Sequence, residues 1–177
     1  MIEVEQRGLL TQEEFTRVEA YLREHAEYLN EDHKYVEYFI YKDKLLKVIR
    51  NDSQKNAVLS LKLNALGNGA LFDETECTLP IDQFPALQKI IRTITTPDQI
   101  ITGTQKRENF ILDGVEVALK WSEDWGHHFE LECMIEDAKE ESAALEKIKT
   151  VAHKLNVVVM SEEEVAEFAQ KVRQARK

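Results

Sequence analysis

The chain has 177 residues, a formal net charge of −10 and an apolar fraction of 43%. This length and apolar content predict one folded domain over residues 1–177 with a substantial core. The acidic balance argues against a nucleic-acid binder, which normally carries a basic footprint. No stretch has the pattern of a membrane span or a signal peptide, and Cys77 and Cys133 form no CxxC pair. We therefore expect a cytoplasmic protein with free thiols and no membrane partner.

The first seven residues predict a strand with one charged face. Ile2 and Val4 alternate with Glu3, Glu5 and Arg7, and the side chains of a strand alternate between its two faces. The two carboxylates would stand about 6.5–7 Å apart along the strand, so both could approach a small cluster of divalent cations. A row of charges is also the ordinary wet face of an amphipathic strand, so this row alone does not decide between the two interpretations.

Hydrophobic residues at helical spacing and at strand spacing alternate along the rest of the chain. Capping boxes at Thr11-x-x-Glu14 and Ser161-x-x-Glu164 mark helix starts, and Asp113-Gly114 is typical of a hairpin turn. The predicted elements are, in chain order, a helix over 11–29, one or two strands over 35–50, a strand over 57–66, a turn at Gly67-Asn68-Gly69, a strand over 71–79, a helix over 81–95, strands over 100–112, 114–122 and 127–136, and helices over 138–155 and 161–175.

The strands share a division into an apolar face and a charged face. Their charged faces carry the acidic rows Glu3/Glu5, Glu74/Glu76 and Glu130/Glu132 and the bases Arg7, Lys62 and Arg107, with Lys47 and Arg50 nearby. These faces could look out to water from an open sheet, or about eight antiparallel strands could close around them. Four apolar helices favour closure, because they need outer sheet surface to bury against. We predict an α+β fold, an eight-stranded antiparallel β-barrel (tunnel) flanked by helices.

A lumen lined by carboxylates and bases needs compensating charge. Buried carboxylates without partners shift their pKa or recruit cations. Hard ions such as Mg²⁺ take oxygen ligands and bridge carboxylates to phosphates, while guanidinium and ammonium groups suit phosphate oxygens. The pattern therefore indicates metal-assisted handling of a polyphosphate.

Several stretches, in this order, resemble the CYTH superfamily, the triphosphate tunnel metalloenzymes. Glu3-x-Glu5-x-Arg7 is similar to the family's N-terminal ExExK signature. The other matching stretches are Leu59-Ser60-Leu61-Lys62, Glu74-x-Glu76, Gln105-Lys106-Arg107, the hairpin Leu112-Asp113-Gly114-Val115-Glu116-Val117, and Trp125-Gly126-His127-His128-Phe129-Glu130-Leu131-Glu132. The resemblance covers nearly the whole chain, and it implies an eight-stranded tunnel that binds a triphosphate with Mg²⁺ or Mn²⁺.

The resemblance also implies roles for individual residues. The metal-ligand candidates are Glu3, Glu5, Glu130 and Glu132, and Glu76 would hold a second metal or orient a base. The phosphate-binding candidates are Arg7, Arg50, Lys62, Arg107 and Lys120.

Three departures from the family pattern bear on these roles. Arg7 replaces the usual Lys. Lys47 and Arg50 are three residues apart, which in a regular strand places them on opposite faces, and we assign the inward place to Arg50. Lys120 stands where the family usually has an Asp, so it would add a phosphate contact or remove a metal ligand.

Three functions fit these residues. The first is a divalent-metal-dependent hydrolase of a small triphosphate such as inorganic triphosphate or thiamine triphosphate. The second is cyclisation of ATP to cyclic AMP, which needs a base for the ribose hydroxyl and a nucleobase pocket that the sequence does not identify. The third is a module that binds polyphosphate or nucleotides without turnover. An acidic surface is compatible with a soluble homodimer.

Overall fold

The computed structural model describes residues 2–63, 71–72 and 74–176. At residues 71 and 72 it describes only the backbone. Nine strands lie within these ranges: β1 Ile2–Leu9, β2 Glu27–Ile40, β3 Leu45–Asn51, β4 Asn56–Lys62, β5 Leu71–Phe72, β6 Glu74–Pro80, β7 Gln99–Leu112, β8 Val115–Ser122 and β9 Gly126–Ile135. The α-helices there are α1 Gln12–His25, α2 Phe84–Ile94, α3 Glu141–Leu155 and α4 Glu162–Ala175. None of the helices in the described ranges has the length and apolarity required to span a bilayer.

All neighbouring strands pair antiparallel in one sheet, in the order β5-β1-β9-β8-β7-β2-β3-β4-β6. The two edge strands β5 and β6 follow each other in the chain with only residue 73 between them. One of them pairs with β1 and the other with β4, so together they join the two edges of the sheet. This curled antiparallel sheet, with the helices packed outside it, confirms the predicted fold class.

The helices begin and end where local chemistry favours it. Thr11 and Ser161 each accept a hydrogen bond from the backbone N–H three residues on, and the glutamate at that position binds back to the cap. Asn156 ends α3 in the left-handed conformation, with φ of 49°. Asp113 and Gly114 also have positive φ, as a tight turn between β7 and β8 requires.

The apolar core lies outside the barrel, between the sheet and the helices. α3 packs against β1, β8 and β9, and α1 packs against β2, β7 and β9. The largest buried side chains of this layer include Phe110, Phe129, Leu131 and Ile148. A smaller cluster around Phe39 lies under α2. Because the apolar faces of the strands point outward into these layers, their charged faces point into the lumen.

Strand β2 begins earlier than predicted. The sequence predicts a helix to residue 29 and strands from 35, whereas α1 ends at His25 and β2 starts at Glu27. Residues 30–34 are polar on both faces, so hydrophobic periodicity gives no strand signal there. Pairing with β7 along the whole of β2 makes this stretch a strand. The predicted turn at 67–69 lies outside the described residues.

Candidate functional site: a charged tunnel

A cavity of about 710 Å³ runs through the barrel. Its wall is formed by the inward faces of the strands, by the β8–β9 turn and by one face of α4. Charged side chains of both signs line it: Glu3, Arg7, Asp32, Lys34, Lys47, Lys62, Glu74, Glu76, Arg107, Glu116, Lys120, Asp124, Glu130, Glu132 and Arg173. A cavity of this size lies in the range of small-molecule sites, which is about 300–1,000 Å³.

Three carboxylates converge in this lumen. Glu3 and Glu5 come from β1 and Glu132 from β9, and Glu5 is directly opposite Glu132 in the register of the two strands. Each of the three residues has one carboxylate oxygen that lies within 4.8 Å of an oxygen of the other two. Three carboxylate oxygens on two rigid strands suit a hard divalent cation such as Mg²⁺ or Mn²⁺, so the donor set fits the metal that the sequence predicts.

Each of the three carboxylates makes ionisation of the others less favourable. Burial, together with the neighbouring Glu5 and Glu132, raises the pKa of Glu3 to about 9, against the opposing effect of Lys62. Burial and the carboxylates of Glu130 and Glu5 raise the pKa of Glu132 to about 7, against Arg107. Burial also raises the pKa of Glu5, but the guanidinium of Arg7 reverses this and leaves the pKa of Glu5 below its usual value. Without a further cation, the group therefore retains protons near neutral pH.

Basic side chains surround the three carboxylates. The Nζ atom of Lys62 lies 3.2 Å from Glu3, 3.1 Å from Glu5 and 3.0 Å from Glu74. Burial lowers the pKa of Lys62, but these carboxylates reverse the shift and raise it above its usual value. Arg107 donates to both oxygens of Glu132 at 3.2 Å. It also donates to Glu116 at 2.8 Å.

Glu130 is held by cations rather than by the other carboxylates. Lys120 Nζ donates to its Oε2 atom at 2.5 Å, and Arg7 and Arg107 lie 3.4 Å and 3.6 Å from its carboxylate oxygens. Burial raises the pKa of Glu130, but Lys120 and the two guanidinium groups bring it well below the usual value. Burial lowers the pKa of Lys120 to about 8, against the effect of Glu130.

The barrel and its lumen agree with the comparisons to known proteins. The family model of the CYTH domain matches residues 1–171. The chain belongs to the CYTH family. No curated protein matches it.

Solved structures share the fold of this CYTH chain at low sequence identity. A conserved hypothetical protein from Pyrococcus furiosus is 23% identical, with a TM-score of 0.73 over 92% of this chain and 99% of that one. A candidate adenylate cyclase from Vibrio parahaemolyticus is 15% identical, with a TM-score of 0.65 over 93% and 92%. A candidate adenylyl cyclase from Hippeastrum, described as having a dominant triphosphatase activity, is 16% identical, with a TM-score of 0.60 over 89% of each chain.

The tunnel of this CYTH domain brings together most of the residues singled out from the sequence. Glu3, Glu5, Arg7 and Lys62 meet Arg107, Lys120, Glu130 and Glu132 in the contacts given above. Glu76 also lines the cavity but is exposed. Its neighbour on the same face, Glu74, accepts from Lys47 at 2.8 Å and contacts Ser60 and Lys62.

Strand β3 turns towards the lumen the face opposite to the one that we predicted. Lys47 lines the cavity, whereas Arg50 lies on the outer surface, where it donates to Asp52 at 3.0 Å and packs over the rings of Tyr35 and Phe84. The assignment of Arg50 to the lumen is therefore wrong. Strand β3 pairs without a bulge from Leu45 to Asn51. Val48 faces outward into the core under α2, so Arg50 faces outward with it and Lys47 faces the lumen.

The lumen residues absent from the sequence-based site include Lys47 and Glu74. Glu74 was visible as part of an acidic row, but its ion pairs were not. They depend on the pairing of β6 with β4, where Lys62 is opposite Glu74, and on a side-chain contact with β3. Only cross-strand neighbours in the closed barrel identify such partners.

Proposed function

We propose that this chain hydrolyses the terminal phosphoryl group of a small triphosphate, such as inorganic triphosphate or thiamine triphosphate, with Mg²⁺ or Mn²⁺. The observation that carries the proposal is that three converging carboxylates and seven bases share one lumen of about 710 Å³. Five of these bases pair with glutamates: Arg7, Lys47, Lys62, Arg107 and Lys120. A triphosphate with a divalent cation matches both halves of this charge pattern.

The bound metal would polarise a phosphoryl oxygen and favour attack by water. The residues of the chain would supply the rest. Each base now pairs with a carboxylate: Lys62 with Glu3 and Glu5, and Arg107 with Glu132. On substrate binding, Lys62 and Arg107 would turn to the phosphate oxygens, and the carboxylates would turn to the cation. The exchange keeps the buried charge balanced throughout, and the fork of Arg107 can hold two phosphate oxygens at once.

The bases would also stabilise the transition state. Phosphoryl transfer depends on positioning and on neutralising charge that spreads over the phosphoryl oxygens. Lys47 and Lys62 come from β3 and β4, while Arg107 and Lys120 come from β7 and β8, so they approach from different sides of the lumen. The barrel wall holds them in place and limits water, which strengthens each interaction.

The test is phosphate release from tripolyphosphate, thiamine triphosphate and ATP, measured with malachite green. We expect release with Mg²⁺ or Mn²⁺ and none with EDTA. Glu132→Gln should lower release on the order of 100-fold, whereas Glu24→Gln should not, because the Glu24 side chain is 79% exposed on α1. Absence of release from every triphosphate at high protein concentration, with tight binding by calorimetry, would reject hydrolysis in favour of binding alone. Chromatography of the ATP reaction would reveal cyclic AMP if cyclisation replaced hydrolysis.

A further inference from the structure

Lys120 and Glu130 form the shortest ion pair between strands β8 and β9. The Nζ–Oε2 distance is 2.5 Å, and the two residues are only 7% and 6% exposed. Ala118 is the residue of β8 opposite Glu130, so Lys120 reaches the carboxylate diagonally along the inward face. The Lys120 side chain has the lumen on one side and Glu130 on the other, which leaves its ammonium group fixed inside the tunnel.

Both oxygens of Glu130 face cations. Lys120 and Arg107 lie at Oε2, and Arg7 lies at Oε1. Glu132, two residues further along the same face of β9, instead joins Glu3 and Glu5 in the group whose oxygens lie within 4.8 Å. In the described part of the chain that group contains no oxygen of Glu130, and no second group of this kind occurs there.

A divalent ion at Glu130 would have to displace the Lys120 ammonium or lie beside it. Like charges at contact distance in a buried site repel strongly, because little water screens them. Lys120 is covalently tethered to β8, so it cannot diffuse away as a hydrated ion would. The carboxylate of Glu130 is therefore already neutralised by the chain itself.

We propose that Lys120 takes the place of a cation at Glu130, so that Glu130 is not a metal ligand and the tunnel binds one divalent ion, at Glu3, Glu5 and Glu132. The inference rests on the proposed function, since it adds one exchangeable metal ion and the Lys120 ammonium to the charges that face the triphosphate. It changes the role predicted for Glu130, from ligand to anchor of Lys120.

The test counts Mn²⁺ ions bound to the metal-free protein, without substrate, from the electron paramagnetic resonance signal of free Mn²⁺. We expect one site in the wild-type protein. Glu130→Gln should change its affinity by no more than about twofold. Glu132→Gln should weaken it about tenfold or more, because a ligand is lost. Two sites or none in the wild-type protein would overturn the inference, as would equal weakening by the two glutamine variants.

A charge reversal tests the same idea in the other direction. Lys120→Asp should create a second Mn²⁺ site, whereas Lys89→Asp, on the exposed face of α2, should not. A folded Lys120→Asp protein with a single Mn²⁺ would contradict the inference. If circular dichroism shows that this variant does not fold, the wild-type count and the two glutamine variants decide the matter.

The metal count is independent of turnover, so the two proposals fail separately. One bound Mn²⁺ without phosphate release would reject hydrolysis and keep the role of Lys120. Phosphate release with two bound Mn²⁺ ions would do the reverse.

Discussion

Glu37 under α2 and Glu132 in the lumen are both buried glutamates on strands of the same barrel, and their surroundings are opposite. Glu37 faces outward from β2, is 0% exposed, and accepts two hydrogen bonds from Arg92, at 2.9 and 3.0 Å, and one from Gln88. Burial raises its pKa, but these bonds reverse the shift and bring the pKa below the usual value. Glu132 lies among other carboxylates, and its pKa is raised to about 7.

The difference shows that burial alone does not make a carboxylate functional. The hydrogen bonds of Glu37 are complete within the protein, and they fasten α2 to the sheet. The group around Glu132 holds three carboxylates too close together for all of them to be ionised easily, so it remains open to a cation from outside. A substitution that removes the charge should therefore impair stability at one place and chemistry at the other.

The largest effect should come from Glu132→Gln. We expect phosphate release to fall on the order of 100-fold, because the metal loses a ligand and Arg107 loses its partner. The free energy of unfolding in EDTA should fall by less than for Glu37→Ala. Phosphate release and urea unfolding measure the two effects. Normal phosphate release by Glu132→Gln would contradict the role of Glu132 as a metal ligand.

Glu37→Ala should have the converse effect. Loss of the charged hydrogen bonds to Arg92 and Gln88 should lower the free energy of unfolding by about 2 kcal/mol. Phosphate release per folded molecule should remain at the wild-type level, because Glu37 lies outside the lumen. Urea denaturation gives the first quantity. Arg92→Ala should cost at least as much, because it leaves the Glu37 carboxylate buried without its guanidinium partner. Lys89→Ala, on the exposed face of the same helix, is the matched control and should cost little.

Lys47 and Arg50 allow the inner and outer faces of a single strand, β3, to be compared. Lys47→Ala should raise KM for tripolyphosphate about tenfold, the equivalent of one lost charged hydrogen bond. Arg50→Ala removes the same charge from the outer face and should change KM less than about twofold. Steady-state kinetics at fixed Mg²⁺ compare the two. A larger effect of Arg50→Ala than of Lys47→Ala would mean that β3 presents its other face to the substrate.

The smallest effect should be the pH dependence of the Glu37 contribution. The pKa of Glu37 in the folded state is below the reference value of 4.5, so its contribution is present above about pH 4.5 and is lost as the pH falls through the folded-state pKa. The difference in unfolding free energy between wild type and Glu37→Gln should therefore shrink from pH 6 to pH 3. Urea denaturation across this range tests the sign, and a difference that grew on acidification would contradict it.

Much of the candidate site was predictable because strand side chains alternate. Glu3, Glu5 and Arg7 share a face by period alone, as do Glu130 and Glu132, and the four apolar helices indicated which faces had to be covered. Arg50 was placed wrongly because a spacing of three says that two bases lie on opposite faces but not which of them points inward. Glu37 was not singled out, since a polar residue in a strand does not by itself reveal a helix above it.

The sequence by itself determined the strands, the helix caps and the rows of like charge, because these depend on neighbours along the chain. The tertiary structure decided which rows meet. The joining of β5 and β6 to the two edges of the sheet brings Lys62 against Glu3, Glu5 and Glu74, and the packing of β8 on β9 brings Lys120 against Glu130. Charges interact through space, so partners that lie far apart in sequence become neighbours only when the barrel closes.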